Sequence, residues 1–220
     1  QLGKVKMIHL KYVTKTTLEL LNIGLINSMV IPVLRYGFVL MVANLGLYAI
    51  FDLSFKIAFL ANSIITAISI PMLAVFSSNN GQVKKMIRLS YKIFGISLAL
   101  YLFILLVFYF FGDLILSFLD LDAMNTNLLY SITFILLISI GSMATVEVFY
   151  RYFLGHKQLK KALLLKLIIP IGCVLMFLFF KNIDVIYRFI YAYSISLMVS
   201  AFLMLLTFVF YSKAKLKHEL

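Results

Sequence analysis

The chain has 220 residues, of which 64% are hydrophobic and only 13% charged, and its mean hydropathy is +1.07. A soluble domain is roughly half apolar and about a quarter charged, so this composition excludes a water-soluble fold and makes lipid the solvent. The formal charge of +12 would suit nucleic acid in a soluble protein, but here the bases sit in short segments between long apolar runs. They form no face able to track a phosphate backbone, and no nucleic acid partner is expected.

The first sixteen residues carry Lys4, Lys6, Lys11 and Lys15 without the hydrophobic core or cleavage site of a signal peptide. Because Gln1 is not an initiator Met, the chain is expected to be a fragment or a processed product. A helix needs roughly 20 apolar residues to cross the hydrocarbon. Six runs qualify, at about 18–43, 47–76, 90–111, 127–150, 162–180 and 186–211. The fold class expected is therefore all-α, a polytopic bundle of six transmembrane helices forming a single unit over residues 1–220, with no room for a separate soluble domain.

Loop charge sets the orientation, because Lys and Arg are retained on the cytoplasmic side. The first segment holds four bases. The segment after span two adds Lys84, Lys85, Arg88 and Lys92; that after span four adds Arg151, Lys157, Lys160, Lys161 and Lys166; the tail adds Lys213, Lys215 and Lys217. The opposite side has only Lys181 and Arg188, together with Asp113, Asp120, Asp122 and Asp184. Both termini are predicted to be cytoplasmic. Tyr12, Tyr91, Tyr150, Tyr152 and Tyr211 at one set of ends, and Tyr48, Tyr109, Tyr130 and Tyr187 at the other, read as headgroup-level aromatic belts. The turn Ser77-Ser78-Asn79-Asn80-Gly81 reads as a cytoplasmic loop after span two.

Polar residues inside the spans are the candidates for function, since a charge at the bilayer centre costs on the order of 2.5–3.5 kcal/mol. Arg35 shares a face of span one with Ser28 and Pro32. It either snorkels outward or offers a permanently charged donor fork suited to phosphate or pyrophosphate. Asp52 and Lys56, four residues apart, stand on one face of span two. Ser63 and Thr66 continue that face, with Asn62 and Ser69 beside it, so a polar stripe either packs against other helices or lines a water-filled cavity. Glu147 and Arg151 have the same spacing and read as an ion pair anchoring a helix end. Lys166 is expected to snorkel to the headgroups, and Pro71 and Pro170 to interrupt spans two and five.

Catalytic chemistry finds no constellation. His9, His156 and His218 all fall in predicted cytoplasmic segments, so no intramembrane Ser and His pair is available, and the chain is not expected to be an enzyme. Asp120-Leu121-Asp122 is too short for a metal site, and no Gly-rich phosphate loop occurs. Cys173, the single cysteine, can form no intrachain disulfide and reads as a small packing residue. Neither a metal nor another cofactor is expected.

With the polar residues placed, the pattern resembles one lobe of a polysaccharide flippase of the multidrug, oligosaccharidyl-lipid and polysaccharide exporter superfamily. The resemblance runs over most of the chain. One stretch is Asn44-Leu45-Gly46-Leu47-Tyr48 leading through Lys56-Ile57 to Ile70-Pro71, similar to the second helix of a lobe. Another is Tyr150-Arg151-Tyr152-Phe153-Leu154-Gly155-His156-Lys157-Gln158, similar to the cytoplasmic turn between a lobe's fourth and fifth helices. The resemblance implies a C-terminal six-helix lobe facing a second one. It also implies alternating-access export of undecaprenyl-pyrophosphate-linked sugars, such as O-antigen repeats for lipopolysaccharide, across a bacterial cytoplasmic membrane. Arg35 and Lys56 would then receive the anionic substrate, and Asp52 would hold Lys56 or bind a coupling cation. A small-molecule or drug exporter of the same fold, and a six-helix substrate-binding component of a vitamin importer, are the alternatives within transport. A lipid-modifying membrane enzyme is the alternative outside it.

Overall fold

In hydrocarbon every backbone N–H and C=O must be satisfied within the chain, and long runs rich in Leu, Ile and Phe achieve this as helices. The computed structural model describes residues 45–78, 82–119 and 123–218, together with Pro32, Tyr36, Gly37 and Val39. Among them no strand occurs. The helices are α1 (Leu45–Ala67), α2 (Met72–Ser78), α3 (Val83–Ser117), α4 (Ala123–Gly155), α5 (Leu159–Phe179) and α6 (Val185–His218).

Five stretches of the described residues, α1 with α2 counted as one, are long and apolar enough to cross a membrane. The expected count of six is not matched among them. Span one lies outside the described residues except for Pro32, Tyr36, Gly37 and Val39, which are helical. A Cβ on Gly37 would stand 3.6 Å from the Phe189 ring of α6. This is a multi-pass membrane protein.

The helices outrun the predicted spans. α3 has 35 residues, about 52 Å at 1.5 Å per residue, against about 30 Å of hydrocarbon. Its first turns therefore carry Lys84, Lys85, Arg88 and Lys92 as helix rather than loop. Hydropathy marks the lipid-immersed part of a helix and is silent about where the helix itself stops.

α4 is the centre: it packs against α1, α2, α3 and α6, while α5 packs mainly on α6. In α4, 72% of the most apolar stretch is buried, against 17% in α3. Rings fill the contact between α4 and α6, with Phe149 stacked on Phe208 at 4.2 Å and Tyr152 edge-on to Phe208 at 5.1 Å. Tyr150 and Tyr152 are buried in this core, which corrects their assignment to a headgroup belt. Their hydroxyls made them look interfacial, but the face of α4 on which they lie is the one covered by neighbours.

The two prolines act differently. Around Pro71 the helix breaks as expected: the Ser69 and Ile70 amides both donate to the Thr66 carbonyl, at 2.9 and 3.1 Å, and α2 restarts at Met72. Pro170 lies inside an unbroken α5, correcting the expected interruption. There α5 packs along α6, and the Ser200 hydroxyl donates to the Leu165 carbonyl at 3.0 Å.

α4 ends in a tight reversal. The Gln158 amide donates to the Phe153 carbonyl at 2.8 Å and the Lys157 amide to the Leu154 carbonyl at 3.0 Å, with Lys157 at a φ of 57°. This is a Schellman turn with lysine at the left-handed position where glycine is favoured. Lys157→Gly is expected to stabilise the protein by about 1 kcal/mol, read as a raised unfolding midpoint in detergent.

Candidate functional site

Between α1, α4, α5 and α6 lies a cavity of about 330 Å³. α1 contributes Phe59, Asn62 and Thr66; α4 contributes Ile140, Met143, Ala144, Glu147 and Arg151; α5 gives Lys166 and Ile169; α6 gives Tyr193 and Leu197. Of the α4 residues at its wall, Ala144 presents only a methyl group. A turn away and outside the lining, Gly141 lets the Tyr101 ring of α3 lie against the backbone of α4.

Three charges meet at the cavity wall. Glu147 Oε1 stands 3.5 Å from Arg151 Nη2, and Glu147 Oε2 accepts a hydrogen bond from Lys166 Nζ at 3.3 Å. The side chains of Lys166, Glu147 and Arg151 are 10%, 15% and 19% exposed, so all three are largely removed from solvent. Lys166 also lies 4.4 Å above the Tyr150 ring, which adds a cation–π contact on its far side. Arg151 Nε donates to the Ser69 hydroxyl at 3.3 Å, and that hydroxyl donates to the Thr66 carbonyl at 2.9 Å. The arginine thus ties α4 to the break between α1 and α2. The cluster sets two basic side chains against one carboxylate at the wall of an open volume.

The predicted site residues divide. The expected Glu147–Arg151 pair is present, but its carboxylate is shared. Lys166 does not snorkel, which corrects that expectation: it is buried and faces α4. It shares a helix face with Ala162, Ile169 and Cys173, all buried. Small residues one turn before and two turns after a lysine are a packing signal that the sequence contained and that proximity to the predicted helix end obscured.

The stripe on α1 splits into two edges. Thr66, with Asn62, turns into the cavity and its hydroxyl donates to the Asn62 carbonyl at 2.9 Å. Lys56 faces outward with 67% of its side chain exposed and pairs with Asp52 at 2.8 Å. Ser63 is exposed and donates back to the Phe59 carbonyl at 2.8 Å. Neither these two nor Asp52 lines the cavity. Arg35 lies outside the described residues, as do Asp120 and Asp122.

Of the histidines, His156 sits in the turn after α4, stacked on Tyr152 with ring centroids 4.0 Å apart. Burial is the main cause that lowers its pKa, partly opposed by the Tyr152 carbonyl 3.1 Å from Nδ1. Its neutral ring belongs to the packing of the turn. Among the described residues no group of three or more His, Cys, Asp and Glu could hold a metal. Cys173 is buried and unbridged. No family model, curated protein or solved structure matches the chain.

Proposed function

We propose that this chain is one lobe of a bacterial cytoplasmic-membrane transporter that flips lipid-linked oligosaccharide by alternating access. The observation that carries the reading is the cavity between α1, α4, α5 and α6 with Arg151 and Lys166 sharing a single carboxylate. An anionic pyrophosphate entering that volume would meet a guanidinium fork and an ammonium already desolvated, and charge-assisted bonds to such groups are the strong ones. The outward-facing Lys56 and Ser63 give the opposite edge of α1 a polar surface suited to a second lobe across a substrate path. Undecaprenyl-pyrophosphate-linked repeat units are the substrate the resemblance implies.

The test is complementation in the native host with the full-length protein. Arg151→Gln and Lys166→Gln together should reduce surface polysaccharide at least tenfold at equal membrane abundance, since each charge-assisted bond contributes about 1.5–3 kcal/mol. Arg35→Ala with Lys56→Ala should also reduce it. Undiminished polysaccharide in both variants would remove the binding assignment.

A further inference from the structure

Away from the cavity, three helix ends meet at one rim of the bundle. The Tyr91 hydroxyl of α3 lies 2.9 Å from the Ser212 hydroxyl of α6, and Lys161 of α5 sits 4.5 Å above the Tyr211 ring. These contacts gather the four bases at the start of α3, Lys160 and Lys161 of α5, and the three lysines at the end of α6. All but Lys161 are exposed. Among the described residues no carboxylate stands with them: Asp52, Asp113 and Asp184 lie toward the opposite helix ends, and Glu147 is held between Arg151 and Lys166.

The arrangement is electrostatically unfavourable by itself. The first turns of α3 and α5 contain no acidic residue, and Lys84, Lys85, Lys160 and Lys161 there sit at the positive ends of the helix dipoles. The lysines of α6 stand at the negative end of theirs and add to the mutual repulsion only as charges. α3 and α6, with 35 and 34 residues, are long enough to carry these ends through the hydrocarbon to the depth of lipid phosphates. Eight of the nine bases are lysines, compact charges on flexible stems that suit mobile phosphates better than the fixed fork geometry of protein carboxylates.

We infer that this rim is a docking surface for anionic phospholipid headgroups, engaging several lipid phosphates at once. Headgroups at the rim neutralise the converging helix ends and hold the α3–α6 contact at Tyr91 and Ser212 closed. The surface is separate from the cavity and does not depend on what the cavity carries.

The experiment uses the purified full-length protein in neutral detergent, titrated with phosphatidylglycerol or phosphatidylcholine while the unfolding midpoint is followed. Phosphatidylglycerol should bind about tenfold better at about 0.1 M salt, and the preference should vanish at about 1 M, where charge is screened within about 3 Å. Replacing Lys84, Lys85, Lys213 and Lys215 together by Gln should abolish the preference, and replacing the same four by Arg should keep it. Equal response to both lipids, a preference that survives the Gln substitutions, or displacement of phosphatidylglycerol by an acidic peptide would overturn the inference. The salt and Arg arms decide the matter even where the Gln variant folds poorly.

Discussion

Glu147→Gln should destabilise the protein by about 3 kcal/mol, measured as unfolding of the purified full-length chain in bicelles. The substitution keeps the shape of the side chain and removes only its charge. Arg151 and Lys166, 3.5 and 3.3 Å away, would be left facing each other across the cavity wall with no counter-charge. Removing one partner of a largely buried ionic group costs about 3–5 kcal/mol, and the water-accessible cavity places this case at the lower end. Adding Lys166→Met should restore about 1–3 kcal/mol, because the second substitution removes one of the stranded cations. Additive losses in the double variant would mean that Lys166 and Glu147 do not interact.

Gly141→Val is the other large effect expected, a loss of about 1–3 kcal/mol with a weakened α3–α4 contact. The Tyr101 ring occupies the place where any Cβ at 141 would stand, and its hydroxyl donates to the Ile138 carbonyl of α4 at 2.9 Å. Tyr101 is 7% exposed, so the ring has little room to retreat. Tyr101→Ala should relieve the clash and make the glycine substitution nearly neutral in the double variant, read by the same unfolding assay. If Gly141→Val alone leaves the unfolding midpoint unchanged, the close approach of α3 to α4 is wrong.

What the sequence made legible follows from the physics of each feature. Apolar length located the five described crossings, because the cost of exposing a polar backbone to lipid enforces helix wherever the run is long enough. The break at Pro71 was legible and the continuity through Pro170 was not, since whether a helix carries on through a proline is decided by the packing around it rather than by the local pattern. The site was half legible. Glu147 and Arg151 were legible by their spacing only as an ion pair anchoring a helix end, and Thr66 as part of a polar stripe; that all three reach one cavity was not. Lys166 was misplaced because snorkelling is the usual fate of a lysine near a helix end; its orientation depends on where the carboxylate of another helix stands. Lys56 announced itself as an intramembrane base, yet the polar stripe of α1 has two edges, and only packing decides which one faces inward.

The same packing explains why the cavity has its charge. α4 is covered on most of its surface, so the one carboxylate it carries in its inner half is surrounded by protein rather than lipid. Evenly matched charges would have closed the cluster on itself. Under the proposed function, the second base is what would receive the anionic part of the substrate.

Transport by the reconstituted full-length protein tests that claim most directly. Proteoliposomes would be loaded with a fluorescent polyprenyl-pyrophosphate oligosaccharide or with a neutral lipid-linked oligosaccharide of the same sugar, and leaflet exchange measured. Faster exchange of the pyrophosphate-linked lipid than of the neutral one, lost when Arg151→Gln and Lys166→Gln are combined, is the predicted result. Equal exchange of both lipids, or exchange of the anionic lipid unaffected by the two substitutions, would contradict the account.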